Sequence, residues 1–167
     1  INDPSGELYR KTAGFKSRSG SKVLVLDYSK PEISVGYNPI ERANNVSEIS
    51  KVASTLIRAS LGEASKDPFW TLQAVSLLII PISLVKKMDR KYQNLANVRR
   101  LLEVMTGDPK KMDKLMIQHG DARLMNSYKS FVSMAPKTFS SVAATALAAL
   151  TLFQDEQVAQ VTAIDTL

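Results

Sequence analysis

The sequence contains no cysteine and a single histidine, His119. Without cysteine there are no disulfides, no thiol nucleophile and few routes to a structural zinc site, and a reducing compartment fits. With one histidine there is no imidazole cluster to hold a transition metal. His119 stands beside Gly120 at an expected helix end, where it reads as a cap or surface residue rather than a base or ligand. No GxxxxGK[ST] stretch is present, so the backbone cradle and lysine that grip a nucleoside triphosphate are missing. No serine or threonine stands at a recognisable spacing from a base, which leaves nucleophilic catalysis without support. The longest apolar run, "LQAVSLLIIPISLV" at 72–85, has fourteen residues and is interrupted by Pro81. A membrane helix needs roughly 20, so this run is expected to be a buried core helix. Asp3 and Glu7 lie where a signal peptide would carry basic and apolar residues. The first residue is isoleucine, and the chain is expected to be a piece of a longer protein.

What is present is an ordinary globular mixture: 167 residues, 44% hydrophobic and 23% charged, with a net charge of +6. That length fits one domain, or one domain plus part of another. The positive charge is uneven. Residues 86–114 hold nine Lys and Arg against four acids, a net of +5, whereas 115–167 is net −1. Within this block Lys86, Lys87, Arg90, Lys91, Arg99 and Arg100 are candidates for binding nucleic acid or an acidic partner. The competing reading is a solvated set of helix ends and turns.

Along the chain, Ser5 can cap a helix over 5–18, with Leu8, Thr12 and Phe15 on one face and Gly20 as its stop. "KVLVLDY" at 22–28 reads as a strand covered on both faces, the habit of parallel sheets. Asp3 would then end an earlier strand, where open α/β sheets place their ligands. Asp27, after "VLVL", superficially matches a magnesium-binding strand end; an ordinary strand-end aspartate is the alternative. Residues 29–45 form a linker. From there the pattern is helical. A first amphipathic helix is capped by Asn45 or Ser47 and ends at Gly62. A second starts at Asp67-Pro68 and is kinked or divided by Pro81. Further helices cover 94–106, the stretch from Asp108-Pro109 to Gly120, 121–134 and 137–153, and a short turn or helix closes the chain. Phe69 and Trp70 read as anchors of a helix start in the core, with an exposed partner contact as the alternative. Met105, Met112, Met116, Met125 and Met134 read as gap fillers, or else as a promiscuous binding surface. The expected fold is therefore mainly α. It has a compact all-α domain of about six helices at 41–167, preceded by a short α/β stub at 1–40.

Four stretches in order, "DPSGELYRKTAG", "KVLVLD", "YNPI" and "KDPFW", give the chain a family likeness. It resembles the coupling proteins of type IV secretion and conjugation, the TraG/TraD-like ATPases, over residues 1–70, with compatible helices after. In that family a strand ends in an Asp-Pro-Lys-Gly-Glu-Leu motif, here carried by Asp3, Gly6 and Glu7 with Ser5 replacing the lysine. The resemblance implies that an all-α domain is inserted into a RecA-like nucleotide-binding domain, of which 1–40 would be a part. It implies that ATP and Mg²⁺ serve the full-length protein and that this piece binds no cofactor and is no enzyme by itself. It further implies a homo-hexameric motor at the cytoplasmic face of the bacterial inner membrane, anchored through a segment outside this chain, while the isolated piece is monomeric. The implied role is docking of a relaxase, accessory or effector protein. A DNA contact without sequence specificity through 86–114, or a purely structural, intersubunit role, are the alternatives.

Overall fold

Side-chain caps set most of the helix starts. The computed structural model describes residues 1–61 and 68–167; the expected Gly62 stop and Asp67 cap lie outside the described residues. Helix α1 (Glu7–Arg18) follows Gly6, which takes the left-handed conformation at φ 66° in place of a serine cap. Helix α2 (Pro39–Arg42) is capped by Asn38. At α3 (Val46–Leu61), Asn45 accepts from the Glu48 amide while Glu48 accepts from the Asn44 amide, a reciprocal arrangement close to a capping box. Helix α4 (Pro68–Lys86) leads into a 3₁₀ turn at Arg90–Tyr92. Asn94, Asp108 and Asp121 cap α5 (Leu95–Gly107), α6 (Pro109–His119) and α7 (Ala122–Val132). Then come α8 (Pro136–Ala148), a 3₁₀ turn at Thr151–Gln154, and α9 (Glu156–Val161), capped by Asp155.

Helix α4 is the axle of the bundle. It packs against α3, α5, α7 and α8, while α5 joins α6 and α8. Ala74, Leu77, Leu78, Ile80, Ile82, Leu84 and Val85 are all buried, so α4 is apolar around most of its circumference. Each of the Leu, Ile and Val side chains contributes about 1.5–3 kcal/mol by leaving water. By length and composition α4 could cross a membrane, but here its apolar surface is spent on neighbouring helices. Pro81 is buried within it and does not divide it. Its ring removes the N–H that would bond the Leu77 carbonyl and crowds that carbonyl, yet the helix runs on to Lys86. Met105, Met112 and Met116 are buried and Met125 and Met134 pack on the core, so the methionines fill the interior.

Three expectations are corrected. First, the N-terminal α/β stub is not formed: there is no strand among the described residues. Residues 22–28 run without regular structure, and their one backbone bond across to 33–37 is from the Val35 N–H to the Val25 carbonyl, at 2.8 Å. A strand exists through its ladder partners, and no other described segment pairs with this one; Val23, Leu24 and Leu26 stay exposed. Helix α1 likewise buries none of its residues, and its Leu8 and Phe15 face solvent. Second, the described residues form nine α-helices, of which α3 to α9 lie within 41–167, where about six were expected. Asn38 nucleates α2 inside the expected linker, and α8 stops at Ala148 with the chain tightening into a 3₁₀ turn instead of continuing to 153. Third, Phe69 and Trp70 are 48% and 37% exposed, with rings edge to face at 5.3 Å. The buried face of α4 begins only at Ala74, one turn later.

Candidate functional site

The basic block is not a uniform charged surface. Lys86 donates to the Glu41 carbonyl at 3.3 Å, tying the end of α4 to α2. Lys87 pairs with Asp121 at 2.8 Å, and its hydrogen bond, with that of the Leu124 amide, holds that carboxyl below the usual range. Arg90 pairs with Glu41. The Arg99 side chain, only 13% exposed, pairs with Glu103 one turn along and donates to the Leu147 carbonyl at 2.9 Å, locking α5 to α8. Lys91 stacks over the Tyr92 ring, and Arg100 reaches Asn97 at 3.4 Å; these two form no ion pair among the described residues. Four of the six candidate cations are thus engaged within the fold.

The N-terminal motif folds into a local turn. Asp3 accepts from the Tyr9 amide at 2.8 Å with its side chain and from the Gly6 amide at 3.0 Å with its carbonyl. Glu7 pairs with Lys11 at 2.5 Å, and Ser5 accepts from the Glu7 amide at 3.4 Å. Asp27 closes a turn on Ser29, whose amide and hydroxyl bonds hold the carboxyl below its ordinary value. These acids are occupied locally. Among the described residues no three His, Asp or Glu side chains come together to hold a metal ion. His119 sits half-buried at the end of α6.

The most constrained site is one that charge and motif reading did not single out, a clasp between residues 36–42 and 161–166. The Tyr37 amide donates to the Val161 carbonyl at 2.9 Å, the Thr166 amide to the Gly36 carbonyl at 3.1 Å, and the Gly36 amide to Thr166 Oγ1 at 2.7 Å. A Cβ on Gly36 would lie 2.5 Å from the Ile164 carbonyl oxygen, so only glycine permits this approach. Asn38, 1% exposed, donates to the carbonyls of Gln93 and Ala163 and accepts from the amides of Ile40 and Glu41. Arg42 grips Asp165 through two nitrogens, reaches the Leu167 carbonyl at 3.2 Å and lies over the Tyr37 ring. The entry to the helical bundle and its exit are held side by side. An open groove of about 680 Å³ flanks the clasp, between residues 31–36 and 156–164.

Residues 36–42 and 161–166 thus lie next to each other at one side of the helical body. The family model described as "Type IV secretory system Conjugative DNA transfer" matches residues 1–167, the whole chain. The chain belongs to this family. The "YNPI" stretch that carried part of the resemblance is, in the structure, the core of the clasp. No curated protein and no solved structure matches the chain.

Proposed function

We propose that this type IV secretion protein serves conjugative DNA transfer or protein secretion as a docking module. It would receive a relaxase, an accessory protein or an effector at the cytoplasmic entrance of a hexameric motor. The observation that carries this reading is the state of the basic block: Lys86, Lys87, Arg90 and Arg99 are each tied to another residue of a helical body held at one clasp. A body of this kind offers side-chain surfaces to another protein rather than a continuous cationic track to DNA. ATP and Mg²⁺ would be handled by other parts of the full-length protein, at the inner membrane, and hydrolysis is not expected of this chain alone.

A second reading is favoured by Lys91 and Arg100, whose charges are not ion-paired among the described residues: contact with DNA without sequence specificity. The test is retention of the cognate relaxase, accessory proteins and effectors by the immobilised chain. Retention is expected, and no detectable binding at tens of micromolar, a free energy weaker than about −6 kcal/mol, overturns the docking role.

A further inference from the structure

Cations without an ion pair are spread along the described chain, and one group of three stands on a helix outside the six candidates. Helix α6 carries Lys110, Lys111 and Lys114, and none of them forms an ion pair among the described residues. The acids nearest to them are used elsewhere. Asp108 accepts from the Lys111 amide as the helix cap, and Asp113 accepts the Tyr128 hydroxyl proton at 2.8 Å. Lys110, Lys114 and Ile117 follow at i, i+4 and i+7, so they share one stripe. Met112 and Met116, fully buried, occupy the opposite stripe. Ile117 is 76% exposed, more than any other large hydrophobic in a described α-helix. Lys110 and Lys111 also stand in the first turn, where the helix dipole disfavours cations. The arrangement works against the helix's own stability, and such departures from local preference mark surfaces kept for another purpose.

We infer that the outer face of α6 docks an acidic, amphipathic segment of a protein, with carboxylates at Lys110, Lys111 and Lys114 and an apolar side chain on Ile117. A nucleic acid backbone fits less well. The stripe offers ammonium groups with no arginine fork and no aromatic platform, and its centre is an isoleucine that gains nothing from a phosphodiester. This inference rests on the docking role proposed above and names the surface and the chemistry of its partner.

The test titrates the chain with a fluorescent synthetic helical peptide carrying Glu at i and i+4 and Leu at i+7. Its counterpart with Ser for Leu and a labelled DNA duplex are run alongside. The Leu peptide is expected to bind best. Lys110→Glu with Lys114→Glu should slow its association about tenfold, since exposed charges act chiefly through steering. Ile117→Ser should weaken it severalfold, and Lys91→Glu, a charge reversal outside α6, should leave it unchanged. Unaltered circular dichroism, with melting no lower than that of the wild type, confirms that these exposed substitutions leave the fold intact; Lys110→Glu, in the first turn, can only help the helix dipole. Absence of peptide binding, equal weakening by Lys91→Glu, or α6-dependent binding of the duplex in place of the peptide overturns the assignment. Relaxase or effector retained equally by wild type and α6 variants overturns the α6 face while leaving the docking role standing. Retention by neither removes both.

Discussion

The side-chain amide of Asn38 donates to the carbonyl of Ala163, 125 residues further along the chain, at 3.0 Å. The same nitrogen donates to the Gln93 carbonyl at 2.7 Å, and the oxygen caps α2. One buried residue therefore ties together the entry, the exit and the turn that follows α4. Asn38→Ala should cost about 2–3 kcal/mol, from one lost cap and two buried acceptors left without donors. Asn38→Asp keeps the cap but turns a charge toward two carbonyls, and should lose at least as much. Urea denaturation of the three proteins measures both.

Gly36 and Gly107 make a contrasting pair. A Cβ at 36 meets the Ile164 carbonyl oxygen at 2.5 Å and Ile164 Cγ1 at 2.8 Å, whereas nothing lies within 4 Å of one at 107. Gly36→Ala must push the exit segment away and should cost about 1–3 kcal/mol. Gly107→Ala, at the end of α5, should be neutral or stabilising by up to about 1 kcal/mol. Thermal melts of both variants test the closeness of the clasp.

The Arg42–Asp165 pair makes the clasp sensitive to acid. Bonds from the Arg42 guanidinium hold the Asp165 carboxyl below its ordinary value. A carboxyl depressed in the folded state stabilises the fold above its unfolded pKa, and that contribution is lost as pH falls through the folded value. Between about pH 5 and pH 2 the wild type should therefore lose more stability than Asp165→Asn. Melting temperature against pH shows this as a shallower acid limb in the variant, while Asp121 and Glu48, also depressed, keep it from becoming flat.

Tyr128 gives the opposite limb. Burial, with its hydrogen bond to Asp113, pushes the phenol well above its ordinary value. Folding favours the protonated phenol, so its contribution is full below the unfolded value of about 10 and declines as pH rises beyond it. Tyr128→Phe should cost about 1 kcal/mol at neutral pH for the lost bond. The variant should also lose less stability than the wild type in alkali, which unfolding curves at rising pH will show.

Helix starts were legible because their signals are local. Pro68 and Asp108-Pro109 announced α4 and α6, and Asn45 or Ser47 the start of α3, where Asn45 is the cap; of the apolar stripe Val46, Ile49, Val52, Ala53, Leu56 and Ile57, the structure buries Ile49, Ala53 and Ile57 and leaves Val46 exposed. The strand over 22–28 was not decidable in this way, since an apolar run states a preference for burial but cannot supply the neighbour that a ladder needs. Charge could be counted but not paired. Arg99–Glu103, one turn apart, was within reach of sequence spacing; Arg90–Glu41 and Lys87–Asp121 join distant segments and needed the fold. The clasp is the extreme case, because Gly36 and Thr166 stand at opposite ends of the helical body. Asn38-Pro39 lay inside the expected linker, and nothing local identified the far carbonyl that its amide would meet.

The most direct measurement is a side-by-side titration of this chain with its labelled cognate relaxase and with labelled single- and double-stranded DNA, at about 50 and 200 mM salt. The docking role predicts saturable relaxase binding at both salt concentrations, with weak DNA binding that vanishes at the higher one. Tight DNA binding that is lost on reversal of Lys86 and Lys87, with no relaxase bound, would contradict it.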